Sequence, residues 1–144
     1  MRNLGIVLSW ALSCSAATAS EVPPSVDPVL YPFVYFDFHQ PEQIKDISGE
    51  TKQILIWVAG ILKNAPRERL LVIGYADERE GSEAERQKIS ERRAKVVYDW
   101  LLANGVQRDQ LVGHEGRSSD PIDFEDTEEQ RRHNRRIQLK RPVR

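Results

Sequence analysis

An α/β sandwich of about four strands is the fold class this sequence predicts, and three observations predict it. Short apolar or aromatic runs alternate with longer segments of helical periodicity. The second helical segment opens on a complete capping signal, and glycine or proline punctuates the joins. The composition is that of a folded chain, with 40% hydrophobic and 30% charged residues among 144, and three Trp, four Tyr and four Phe.

The elements follow in order. Phe33-Val-Tyr-Phe-Asp-Phe38 alternates aromatic and other side chains, as a strand does. Ser48 to Lys63 reads as a helix, because Ile54, Leu55, Val58, Ile61 and Leu62 share one face of a 3.6-residue period. Asn64-Ala-Pro66 stops it. Leu70-Leu-Val-Ile73 is a continuous apolar run, expected of a strand covered on both faces. Ser82-Glu-Ala-Glu85 starts the second helix as a capping box, with Ile89, Val96, Val97, Trp100 and Leu101 as its apolar stripe. Asn104-Gly105 ends that helix, since glycine accepts a left-handed conformation. Gln110-Leu-Val112 reads as a third strand, residues near Glu125–Arg132 as a helical turn, and Arg135-Arg-Ile-Gln-Leu139 as the last strand. The order β-α-β-α-β-(α)-β places helices on a four-stranded mixed sheet.

The N-terminal region has a different character. Residues 1–19 carry a basic tip (Arg2), the apolar run Leu4–Leu12 and the small-residue ending Ala17-Thr-Ala19, the parts of a secretory signal peptide. The apolar run is shorter than the roughly 20 residues a membrane span needs. Cleavage after Ala19 is the favoured expectation. The competing site lies before Cys14, where a lipoprotein peptidase would leave a lipidated cysteine. Residues 20–32 hold four prolines and read as an extended linker. The folded domain is expected over 33–144, in the periplasm.

Charge and cysteine usage exclude several classes. The net charge is −1, which gives no global attraction to nucleic acid or to an anionic membrane. Residues 131–144 hold seven Lys/Arg and no Asp/Glu, a run expected to be a solvated face, and a secretory leader argues against nucleic acid as its partner. Cys14 is the single cysteine, so neither an intramolecular disulfide nor a cysteine metal site is available. No nucleophile elbow, no metal-ligand histidine spacing and no phosphate-cradling glycine loop occurs. His39, His114 and His133 read as ordinary surface histidines. No enzyme, metal or cofactor is expected.

Two residues bear on ligand chemistry. Asp77 follows an apolar strand in Gly74-Tyr-Ala-Asp77, and strand ends of open α/β sheets commonly hold ligands. Arg93 lies four residues from both Ile89 and Val97, on the apolar stripe of its helix. A buried arginine needs a carboxylate partner, which is either Asp77 or a ligand group. An aspartate and an arginine together complement a zwitterion: ammonium to one, carboxylate to the other. Arg92 is expected in solvent.

Five blocks in order resemble the OmpA-like peptidoglycan-binding domain, including its lipoprotein branch, over about Val34 to Lys140. They are Tyr35-Phe-Asp-Phe38; Gly74-Tyr-Ala-Asp-Glu-Arg79; Ile89-Ser-Glu-Arg-Arg-Ala94; Tyr98-Asp-Trp-Leu101 with Asn104-Gly-Val106; and Asn134-Arg-Arg136. The resemblance implies a non-catalytic module that binds peptidoglycan, with Asp77 and Arg93 on the diaminopimelate of the peptide stem and Asn134 and Arg135 bordering the pocket. Other envelope proteins are further partners it implies. The sequence departs from the family pattern in two places. The loop after Asp77 is one residue longer, at Glu80, and a Tyr-Asn pair is replaced by Glu85-Arg86. The departures favour an alternative, a protein-interaction adaptor with a degraded wall pocket. Arg86 is a candidate substitute donor.

Overall fold

The computed structural model describes residues 31–124 and 126–142. The leader, Cys14 and the linker up to residue 30 lie outside them. Seven regular elements follow one another: β1 (Val34–Tyr35), α1 (Gly49–Asn64), β2 (Leu70–Gly74), α2 (Glu83–Ala103), β3 (Leu111–Gly116), α3 (Glu128–Asn134) and β4 (Arg136–Lys140). The sheet order is β1-β4-β2-β3. β4 runs antiparallel to both neighbours, while β2 and β3 pair in parallel through the α2 crossover. The expected mixed four-stranded α/β architecture is what forms.

One core joins sheet and helices. Leu70 and Val72 of β2, Ile137 and Leu139 of β4, Leu55, Val58 and Leu62 of α1, and Val97 and Leu101 of α2 all belong to it. Fully burying such a side chain stabilises by about 1.5–3 kcal/mol. The opposite face of the sheet is mixed: Ile73 is buried, Leu71 and Gln138 are half-buried, and the Arg136 guanidinium lies 3.9 Å over the Tyr75 ring. No helix among the described residues is long and apolar enough to cross a membrane.

Local chemistry sets the ends of the helices. Ser82 is the N-cap of α2, with Glu85 N–H donating to its hydroxyl and Glu85 Oε2 accepting from Ser82 N–H at 2.7 Å. The C-terminus of α1 is closed from a distance. Gln110, 1% exposed, donates from Nε2 to Leu62 O (2.8 Å) and Ala65 O (2.9 Å). Each of these carbonyls also accepts one backbone N–H, Leu62 O from Ala65 and Ala65 O from Glu68, so Gln110 supplies the second donor at the helix end.

Two glycines position α2 over the strand ends. A Cβ on Gly74 would stand 2.0 Å from Ser90 O, and one on Gly116 would stand 2.3 Å from Glu91 N. The missing side chains let the middle of α2 lie directly against the ends of β2 and β3. This approach brings Arg93 to the end of β2.

Candidate functional site

Asp77 lies three residues beyond the end of β2 and caps a three-residue 3₁₀ turn, Glu78–Glu80. Its Oδ1 accepts from Arg79 N–H at 2.8 Å, and its Oδ2 accepts from Arg135 Nη1 at 2.9 Å. Neither side chain of the Asp77–Arg135 pair is exposed. Arg135 also donates from Nε to Phe36 O at 2.9 Å and pairs with Glu128 on α3. Burial alone would pull the Arg135 pKa down, but the hydrogen bonds to Asp77 and Glu128 outweigh it and raise the value.

Arg93 pairs with Glu80. The contact is bidentate, Nη1 to Oε2 and Nη2 to Oε1, each 2.6 Å, and both side chains are wholly buried. Three carbonyls take the remaining donors: Gln40 O from Nε (2.6 Å), Tyr75 O from Nη1 (3.1 Å) and Asp37 O from Nη2 (3.2 Å). The five N–H groups of a guanidinium are thus all engaged. Phe36 covers the group at 6.0 Å. Burial pulls the Arg93 pKa down, opposed by the hydrogen bond to Glu80.

The two pairs form one network. Asp77 N–H donates to Glu80 Oε2 at 3.2 Å, so the turn after β2 links both carboxylates. Each buried positive charge has its own buried negative charge, which is the condition under which such charges are tolerated. The two halves are not equivalent. The Asp77 carboxylate accepts from Arg79 N–H, from Arg135 Nη1 and, in the capping box, from Glu80 N–H, which leaves one of about four acceptor sites open. Arg93 has no donor left.

Of the two partners the sequence offered Arg93, Asp77 is not the one it takes. Glu80 was legible as an extra loop residue but not as that partner. Its position three residues after Asp77, the return distance of a capping box, is the signal that could have found it. Asn134 is buried and turned to the loop before α3: its Oδ1 accepts from Ile122 N–H and Asp123 N–H, and its Nδ2 donates to Asp123 O. Arg86 donates to Gly81 O at 2.7 Å and so holds the same turn from outside. The expectation of a solvated basic run fails for Arg135 and Arg136, which are buried because Asp77 and the Tyr75 ring draw them inward.

Two clefts flank the network. One of about 400 Å³ lies between the segment joining β1 to α1 and α3, with Tyr35, Asp37, Gln40, Asp46, Glu50 and Arg132 on its walls. The other, about 280 Å³, is lined by Glu80 together with His39, Glu42, Glu85, Lys88 and Arg92.

Comparison with known proteins places these features in a family. The family model described as "OmpA family" matches residues 36–135. The peptidoglycan-binding protein ArfA of Mycobacterium tuberculosis is 39% identical over 87 residues, 60% of this chain and 26% of that protein. Outer membrane protein A of Bordetella avium is 30% identical over 105 residues, 73% of this chain and 52% of that protein. The chain thus spans about a quarter to a half of the length of these relatives. Among solved structures, the peptidoglycan-associated lipoprotein of Burkholderia pseudomallei superimposes with a TM-score of 0.64 at 27% identity, covering 74% of this chain and 86% of that one. The C-terminal domain of Helicobacter pylori MotB does so with a TM-score of 0.66 at 19% identity, over 78% and 86%, a likeness of fold. With the matched residues running from just after β1 through α3, the chain belongs to the OmpA family.

Proposed function

We propose that this protein binds peptidoglycan non-covalently in the bacterial cell envelope, without catalysis, by recognising a stem residue of the diaminopimelate type at Asp77 and Arg93. The observation that carries this reading is one buried carboxylate and one buried guanidinium, joined through a single short turn at a strand end and flanked by clefts. An amino-carboxylate head group has the complementary pair of charges. Its ammonium would use the remaining acceptor site of Asp77, and its carboxylate would take the fork of Arg93 in place of Glu80. Arg135 holds Asp77 in place, and Asn134 holds the loop beside it. The names of ArfA and of the Burkholderia lipoprotein support a wall-binding role. Periplasmic location after cleavage at Ala19, or outer-membrane attachment through a lipidated Cys14, completes the proposal. Other envelope proteins are further candidate partners.

The bidentate Glu80–Arg93 contact favours a second reading, an envelope adaptor that keeps the fold and has lost wall binding. Co-sedimentation of the purified protein with insoluble sacculi separates the two. Asp77→Asn tests the ammonium half. Arg93→Met combined with Glu80→Gln tests the other half without leaving a bare buried carboxylate. The wall-binding reading requires the parent to pellet while both variants, folded by circular dichroism, stay in the supernatant. A folded parent that stays in the supernatant at physiological salt hands the case to the adaptor.

A further inference from the structure

We propose that Glu80 is an internal stand-in for a ligand carboxylate, a displaceable plug on Arg93 that sets how tightly an external amino-carboxylate binds. The inference rests on the wall-binding reading for the identity of that ligand, but its chemistry is independent of it.

The Glu80 carboxylate receives four donors from three places in the chain: Arg93 Nη1 and Nη2 of α2 at 2.6 Å each, His39 N–H after β1 at 2.7 Å, and Asp77 N–H after β2 at 3.2 Å. Two of these are main-chain groups fixed by the fold. The arginine is also fixed without its partner, because Gln40 O, Tyr75 O and Asp37 O hold its other three donors. Taking the Glu80 carboxylate away would therefore leave an assembled anion pocket: a rigid fork and two converging N–H groups. An ordinary structural ion pair gives no such guarantee, since an arginine held by its partner alone swings away when that partner is lost.

The anion itself sits on the more yielding part of the arrangement. Glu80 ends a three-residue turn, and the next residue, Gly81, has φ +127, a conformation glycine adopts without strain. Glu78, Arg79 and Gly81 are exposed around it. Rotation of this turn, with release of the Arg86–Gly81 hydrogen bond, withdraws the carboxylate and leaves the backbones of α2 and the sheet in place. The cleft that Glu80 lines carries Lys88 and Arg92 beside Glu42 and Glu85, so an incoming carboxylate meets charges of both signs on its way. A protein whose site is occupied by its own side chain binds an external ligand more weakly, by the fraction of molecules in which the site is open.

The experiment replaces the plug with a soluble anion. In Glu80→Ala, sodium acetate should raise the melting temperature saturably above a sodium chloride control of equal ionic strength, and the parent protein should show no such difference. On sacculi, Glu80→Ala should reach half-maximal sedimentation at about a tenfold lower wall concentration than the parent. If Glu80→Ala folds and acetate acts no differently from chloride, Glu80 is a structural partner and the proposal is overturned. It is equally overturned if neither Glu80→Ala nor Glu80→Gln folds even in acetate, because the pocket is then not assembled without the plug. If acetate rescues Glu80→Ala but neither protein pellets, the carboxylate site stands and wall binding falls. If the parent pellets and the folded Glu80→Ala pellets no more strongly, wall binding stands and the plug falls.

Discussion

Gly74 and Ser90 touch through their backbones: a Cβ on the glycine would lie 2.0 Å from the serine carbonyl oxygen. No rotamer relieves that distance, because both groups belong to the main chain. Gly74→Ala must push α2 off β2, the layer contact on which the placement of Arg93 depends. A loss of about 3 kcal/mol, the upper end for overpacking, is expected in urea unfolding. Gly60 supplies the contrast. It sits inside α1 with open space around its Cβ position, so Gly60→Ala should gain about 1 kcal/mol through helix propensity. Equal effects at the two glycines would refute the close-contact account.

Arg135→Ala removes the partner of a carboxylate that has no exposure to water. The expected cost is about 3–5 kcal/mol, because Asp77 is left as an uncompensated buried charge. Arg117→Ala breaks a pair with Glu115 whose side chains are 47% and 41% exposed, and should cost less than about 1 kcal/mol. Thermal or urea melts of the two variants should differ severalfold in destabilisation. Comparable losses would mean that Asp77 readily finds another donor.

The pattern of helices and strands was open to sequence reading because periodicity and capping are local. The helix expected at Ser82 begins at Glu83 with Ser82 as its cap, and its whole predicted stripe is buried. The strand expected at Phe33–Phe38 shrinks to Val34–Tyr35, since the chain beyond Tyr35 lends carbonyls to Arg135 and Arg93 rather than to a neighbouring strand. The third strand runs on to Gly116 because parallel pairing with β2 supports residues that carry no strand pattern of their own. Arg93 was identifiable as a buried charge from its helical phase. Its partner was not, because Asp77 and Glu80 are three residues apart and composition offers no choice between them. The exchange of partners, Glu80 to Arg93 and Asp77 to Arg135, is decided by how the turn coils after β2, and Arg135 is 58 residues away from Asp77.

Gln110 closes the end of α1 from across the fold, so Gln110→Leu should strip the side-chain donor from the carbonyls of Leu62 and Ala65, which then keep only the N–H groups of Ala65 and Glu68. A loss of about 0.5–1.5 kcal/mol is expected in chemical unfolding. Amide exchange in the last turn of α1 should speed up more than in α2. A uniform change in exchange across both helices would show that the amide does not act locally.

Acid should weaken the edge that α3 forms. Hydrogen bonding to His133 holds Asp123 below the usual carboxylate range, and the Arg135 hydrogen bond does the same for Glu128. A carboxylate depressed in the folded state adds stability that is present above its unfolded pKa and is lost as pH falls through its folded one. The melting temperature should thus hold steady from neutral pH to about 5 and drop below about 4, the ordinary carboxylate value. Glu128→Gln should start lower at neutral pH and fall less steeply in acid. A curve for Glu128→Gln parallel to that of the parent would remove Glu128 from the account.

The sheet order has a temporal side. β4 lies between β1 and β2, so the strand made last is the one that joins the first to the rest. A nascent chain ending before residue 136 lacks the neighbour that β1 pairs with and the inner partner of β2, and Arg135, which neutralises Asp77, reaches the fold at the same moment. The chain cannot seal its core piecemeal as it is made. Once residues 135–140 arrive, sheet and charge network close together.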